Sequence, residues 1–274
     1  MNMKTFIITL IVALSFSCKS DEVALIQNPP LKFEYKLVWS DEFNGNEVDQ
    51  NNWTFEIWNA GHVNNEWQQY VENTDNYTVG NGNLAITAIK TGNNEFGGYT
   101  STRLSSKNKQ EFKYGRIEFR AKMPSGRGTW PALWMLGANI DEVNWPKCGE
   151  IDILEYVGYQ PNKTHTNVHT QADYGSTSAH RTHILNTTEE EFHIYGMIWT
   201  SRKIEFYIDS KENIVNTYSP NQTPQNWPFS KDFFFIMNFA VGGVWGGLQG
   251  VDGTVWPQTM LVDYVRVYQL KPVE

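Results

Sequence analysis

The chain has 274 residues and a formal charge of −8, from 22 Lys and Arg against 30 Asp and Glu, with no basic run. That balance excludes nucleic acid and other anionic polymers as ready partners. The length suits one all-β sandwich behind a leader. Aromatic residues make up 14 %, more than such a core needs. Aromatic faces stack on the C–H faces of sugars, so part of the excess is available to line a cleft while the majority packs the interior.

The chain opens with Lys4, an apolar run from Phe6 to Phe16, and the segment Leu14-Ser15-Phe16-Ser17-Cys18. The run is too short for a comfortable transmembrane helix. Residues 1–17 resemble a bacterial lipoprotein signal, cleaved before Cys18 to leave a lipidated N-terminal cysteine; an ordinary secretory signal with an incidental Cys is the alternative. Residues 18–34 then form a polar tether that Pro29-Pro30 stiffens. The reading implies export and attachment to a bacterial membrane through lipid alone, with the cell surface as one candidate place and secretion as the alternative. If Cys18 is acylated, Cys148 has no intramolecular partner, and stability rests on the core rather than on disulfides.

Residues 35–274 read as one domain. Lys36 to Phe43 is the first predicted strand, and Asn81-Gly82-Asn83 before Leu84 to Ile89 is a turn followed by a strand. The clearest alternation runs from Gly115 to Met123. Ile117, Phe119, Ala121 and Met123 face one way and Arg116, Glu118, Arg120 and Lys122 the other, which predicts a half-buried antiparallel strand. Further strands are expected at Ala132 to Leu136, Ile151 to Val157, Thr164 to Thr170, Phe192 to Thr200, Lys203 to Asp209, Phe233 to Val241 and Leu261 to Tyr268. Thr188 with Glu191 suggests one capped helical turn. Many short strands with little helix predict an all-β sandwich or jelly roll.

The densest chemistry lies in Gly149-Glu150-Ile151-Asp152-Ile153-Leu154-Glu155. On a period of two, Glu150, Asp152 and Leu154 share a face and Glu155 falls on the other. A β-bulge adds one unpaired residue and would rotate Glu155 back beside the other two acids. Such a row costs stability through like-charge repulsion and is useful where one carboxyl must stay protonated while a neighbour stays ionised. Glycoside hydrolysis makes that demand: one carboxylate attacks the anomeric carbon and one carboxylic acid protonates the leaving oxygen, roughly 5–5.5 Å apart in retaining enzymes. The alternative is a solvated face with scattered acids, against which the flanking Ile and Leu mark an inner strand.

This strand, with Gly128-Thr129-Trp130-Pro131-Ala132-Leu133-Trp134 just upstream, resembles glycoside hydrolase family 16, specifically its laminarinase-like endo-β-1,3-glucanases, over about Val38 to Tyr268. The resemblance implies a curved jelly roll with an open concave cleft. It also implies a monomeric retaining endo-hydrolase of β-1,3-glucan that needs no cofactor for catalysis. Glu150 maps to the nucleophile and Glu155 to the acid/base, with Asp152 assisting by setting which neighbour keeps a proton. Trp130 and Trp134 share a strand face and either stack sugars beside the carboxylates or pack the core. Trp245 matches a family Trp on the non-reducing side, with Gly246 where Pro is usual, so a looser loop is expected. Asn64 to Tyr70 resembles the family's Asn-x-Glu-Leu-Gln-x-Tyr segment, with Trp67 for Leu; Asn64 binds sugar hydroxyls or belongs to a polar turn. Arg103 reaches substrate or forms a strand-face ion pair. His169 matches a position near the leaving-group side or is a hydrogen-bonded sheet histidine.

His165 with His169, and His180 with His183, find no Cys or Glu cluster to complete a tetrahedral zinc set. Family members often hold a structural Ca²⁺ on the convex side through backbone oxygens and an Asp. Matching segments place such a site at Glu42, Gly82 and Asp263, where it would pin the chain ends together. A non-catalytic glucan-binding protein on the same scaffold is the rival from another class, and such relatives lose the acids kept here. Agarases and κ-carrageenases share the bulged motif, and lichenases, which cut mixed-linkage glucan, lack its extra residue. The acidic charge disfavours a sulfated substrate.

Overall fold

A computed structural model describes residues 32–175 and 178–273. The signal, Cys18 and the tether as far as Leu31 lie outside the described residues. The first half holds β1 (Phe33–Asp41), β2 (Thr54–Phe55), β3 (Gln68–Tyr70), β4 (Tyr77–Gly80), β5 (Asn83–Lys90), β6 (Tyr99–Ser101), β7 (Arg103–Ser105), β8 (Glu111–Phe112), β9 (Gly115–Lys122) and β10 (Thr129–Gly137). Then come α1 (Ile140–Val143), β11 (Glu150–Tyr156), β12 (Lys163–His169), β13 (Arg181–Ile184), β14 (His193–Trp199), β15 (Ile204–Ile208), β16 (Ile214–Tyr218), β17 (Phe233–Val241), α2 (Gly243–Gly246) and β18 (Gln258–Pro272). β1 thus opens inside the stretch read as tether.

These strands build the expected two-sheet sandwich. One sheet runs β16-β15-β14-β9-β18-β5-β6-β3, with β4 on β5 and β1 on β18; the other runs β13-β12-β11-β10-β17-β7-β2, with β8 on β17. The alternation in β9 holds: Ile117, Phe119, Ala121 and Met123 are buried in the core between the sheets. On the opposite face Glu118 is also buried, and Tyr207 donates its hydroxyl to it at 2.6 Å. β17 is apolar at every position but Asn238 because both of its faces are covered. Phe233, Phe235, Met237, Phe239 and Val241 enter the central core, while Phe234, Ile236 and Ala240 seed two small clusters on the outer face of that sheet. Each buried Phe contributes about 2–3 kcal/mol, so β17 is the rod on which that sheet is hung. No helix forms at Thr188. Its hydroxyl bonds back to the Leu185 carbonyl and the chain makes a turn, with Glu189 accepting from Tyr156.

The candidate calcium segments converge on the convex sheet. β5 pairs with Gln258 to Val262 of β18 and β1 with Val265 to Pro272, both opposite the edge that β9 occupies, which leaves Asp263 and Tyr264 between them. Glu42 follows β1, and the Asn81-Gly82 turn precedes β5, so both abut that gap. The carboxylate of Glu42 is held bidentately by Arg266 at 2.8 and 2.9 Å, and that of Asp263 is bonded to Arg120. Any cation there would draw on backbone carbonyls, because the carboxylates expected to help are already neutralised.

Candidate active site

The floor of an open cleft of about 800 Å³ is formed by β10, β11, β12 and β17. The expected bulge is present. Against β10 the register slips between Leu154 and Asp152, and against β12 two residues, Ile153 and Leu154, oppose Thr166 alone. Both bulged side chains go into the core. Glu150, Asp152 and Glu155 therefore all line the cleft. Their cross-strand partners on β12 are His169, Asn167 and His165, and on β10 Leu136, Trp134 and Ala132.

Each end of the carboxyl row meets an indole. Trp145 Nε1 donates to Glu150 Oε2 at 2.6 Å, and Trp130 Nε1 donates to Glu155 Oε1 at 3.2 Å. Asp152, 2 % exposed, hydrogen-bonds Glu150 and leaves its Oδ2 without a hydrogen-bond partner. His169 Nε2 lies 3.3 Å from that oxygen and 3.8 Å from Glu150. Burial, then the neighbouring charge, pushes all three acids up: Glu150 to about 8, Glu155 to about 7, and Asp152 far above its ordinary range. They cannot all ionise together. Asp152, the most buried and with an oxygen unpaired, keeps its proton most readily. While it does, the charge that raises Glu150 is absent, which favours ionisation of Glu150. Once ionised, Glu150 in turn raises Glu155. An ionised Glu150, a protonated Asp152 bonded to it and a protonated Glu155 is the order that a nucleophile, an assistant and an acid would need.

Two walls flank the row, each on one of the small clusters. At the Glu150 end, Leu136, Cys148, Phe234 and Ile236 support Ile140 and Val143 of α1, and the loop beyond α1 brings Trp145 onto Glu150. Cys148 is a packing residue, with its buried thiol pushed up to about 12. At the Glu155 end, Trp130, Val157 and Ala240 support Trp245 and Tyr159, and Trp245 meets Trp130 edge-on at 5.5 Å. The loop there is not loosened by Gly246. That residue closes α2, where a Cβ would come within 2.8 Å of Trp130 Cβ, so glycine lets the loop pack tightly.

The other predicted residues sort by contact. Trp134 lines the cleft and donates to Asn238 Oδ1 at 2.7 Å. Asn238 in turn donates to the Tyr70 hydroxyl, which donates to Glu66. Asn64 and Gln68 also donate to Glu66, so Asn64 is both a cleft residue and part of a polar turn. Arg103 forms the ion pair with Glu56, and its guanidinium lies between the rings of Trp58 and Trp134, 4.3 and 5.0 Å from their centres. It faces the cleft through those rings, with its charge already spent. Trp58, Glu66, Trp145, His180 and Asn238 were not singled out as site residues. Glu66 carried a signal inside the Asn64 to Tyr70 segment, and His180 was weighed only as a metal ligand with His183; the others reach the cleft from loops or from a strand read as core. Among the described residues, the one group of His, Cys, Asp and Glu close enough to share a metal ion is Glu150, Asp152 and His169. The shared proton accounts for that group without a metal, and His165 and His180 are bonded to each other rather than arranged as zinc ligands.

Paired carboxyls with opposite proton demands, on the concave face of a β-sandwich, define a glycoside hydrolase that works through two acids. The profile of glycosyl hydrolases family 16 matches residues 42–266, and the chain belongs to that family. It is 40 % identical over 250 residues to a beta-glucanase from Rhodothermus marinus, covering 86 % of this chain and 85 % of that protein. It superposes on the crystal structure of the laminarinase from Flavobacterium sp. UMI-01 with a TM-score of 0.80 at 46 % identity, over 85 % of this chain and 100 % of the other. On the laminarinase from Rhodothermus marinus the TM-score is 0.82 at 40 % identity, over 88 % and 99 %.

Proposed function

We propose that this protein is an endo-hydrolase of β-1,3-glucan acting with retention. The observation that carries the reading is the bulge, which sets Glu150 and Glu155 on one cleft face with an indole N–H on each; the likeness to two laminarinases supplies the substrate class. Glu150 attacks the anomeric carbon as the bond to the leaving oxygen breaks, and Glu155 gives that oxygen its proton. The product is a glycosyl ester on Glu150. Glu155, now ionised, takes a proton from water, whose oxygen displaces Glu150 from the same carbon. Asp152 holds its proton against Glu150 through both steps, and no cofactor is needed. All the residues come from one chain, which suits a monomer.

The cleft favours a neutral chain. Among the described residues Arg103 is the one Lys or Arg lining it, and Glu56 neutralises that charge, so nothing waits for the sulfate of a carrageenan. Retention of all three acids argues against a binding-only relative. A reducing-sugar assay across laminarin, lichenan, agarose and κ-carrageenan, with NMR of the first products, tests the proposal. β-Configured reducing ends and mixed oligomers from laminarin are expected; cutting of agarose or carrageenan without laminarin sinks it.

Two finer readings accompany it. The Glu42, Gly82 and Asp263 segments would hold a Ca²⁺ by backbone carbonyls, so chelation would lower the melting temperature and spare activity in the cold; an unchanged melting temperature removes the ion. Cys18 would carry lipid and tether the exported enzyme to a membrane. A fatty-acid analogue would then label the wild type and not Cys18→Ser, and equal labelling of both removes the anchor.

A further inference from the structure

The wall at the Glu155 end contains two histidines that the reaction scheme leaves unused. His165 lies directly across the ladder from Glu155 and is 2 % exposed. Its Nδ1 is 2.7 Å from Nε2 of His180, and its own Nε2 is buried without a hydrogen-bond partner. Trp245 sits nearly perpendicular to both rings, 4.8 Å from His165 and 6.2 Å from His180. His180 borders the cleft beside Glu155, Trp130 and Trp245.

Burial lowers the basicity of both rings, that of His165 to about 3, so both are neutral and one proton lies between the facing nitrogens. If that proton belongs to His165 Nδ1, the buried Nε2 is a bare lone pair. The reverse choice would bury an N–H with no acceptor, which is the rarer kind of orphan. With Nε2 accepting, neutral His180 must carry its own proton on Nδ1.

We infer that His180 is a hydrogen-bond donor to a sugar hydroxyl at the Glu155 end of the cleft, with His165 as the positioning residue that fixes its tautomer. A donor held in one direction there orients the sugar whose bond Glu155 protonates. The inference rests on the glucan reading for its ligand, not for the tautomer.

Nitrogen-detected NMR of the imidazoles in the wild type tests the tautomer directly. His180 is expected with a protonated Nδ1 and a bare Nε2; the opposite assignment overturns the inference. Laminari-oligosaccharides added to the inactive Glu150→Gln variant should shift the His180 Nδ1–H resonance, and no shift would overturn the contact. In kinetics, His180→Phe keeps a ring of similar size and should lower kcat/KM on laminarin about five- to tenfold, mostly through KM. His180→Asn should recover part of that loss. His165→Phe should lose a similar factor, and the double variant little more than either single one. A pair that only packs would lower the melting temperature in these variants and leave kcat/KM unchanged, contrary to the inference. If the wild type fails to cut laminarin, the substrate reading fails by itself, and the tautomer result still decides the histidine assignment.

Discussion

Replacing Glu155 by Gln should abolish hydrolysis and stabilise the fold, and the gain should depend on pH. The carboxyl is raised from 4.5 to about 7, first by burial and then by the charge of Glu150. The folded state therefore holds a proton that the unfolded chain has released throughout that window. Stability is lost as pH rises from 4.5 to 7, and none is lost below it. At about 1.36 kcal/mol per pH unit, the interval amounts to about 3 kcal/mol, or about 2–3 once partial exposure of the group is allowed for. Gln keeps the shape and still accepts from Trp130, but it has nothing to ionise. For a domain of this size the difference corresponds to a melting temperature higher by about 4–12 °C at pH 8. At pH 4 it should be near zero. Calorimetry of the wild type and Glu155→Gln at the two pH values decides it. An equal offset at both, or a variant less stable at pH 8, would show that the carboxyl is not held above its ordinary range.

The two indoles should move opposite limbs of the pH profile of kcat/KM. Trp145→Phe removes a donor to ionised Glu150, so its acid limb should rise by about one pH unit. Trp130→Phe removes the longer bond to Glu155 and should raise the alkaline limb by about half a unit; exchange of the two effects would exchange the roles of the acids. Chemical rescue reads the same assignment by stereochemistry: azide added to Glu150→Ala should yield an α-glycosyl azide, and added to Glu155→Ala a β-glycosyl azide.

The fold was legible where burial follows a simple period. β9 alternates on a period of two, and the Phe233 to Val241 run has no polar residue but Asn238, so their faces and bounds follow from sequence. Short strands such as β2, β3, β6 and β8 carry no such run; they form because neighbouring strands offer an edge. α2 is the clearest omission. Gly243-Val244-Trp245-Gly246 has almost no helix propensity, and its turn exists because Gly246 fits against Trp130.

The acid row of the cleft was legible for a different reason: three carboxyls with one residue too many share a face only with a bulge. What sequence could not show was how their protons are ordered, because that depends on burial and on Trp145, Trp130 and His169, which come from three separate elements. Their chemistry explains the choice of residue. An Arg or Lys beside the row would satisfy the carboxyls and also ionise them all, removing the proton that Glu155 donates in the proposed reaction. An indole N–H is a strong donor without a charge. It favours the ionised form of the group it touches only modestly, and the shorter contact, 2.6 Å against 3.2 Å, is on Glu150, the acid proposed as nucleophile. Arg103 is the cation that could spoil this order, and Glu56 holds its charge between Trp58 and Trp134, one strand beyond β17. The cleft keeps its acids high by burial, by the charge they place on one another and by the exclusion of free positive charge.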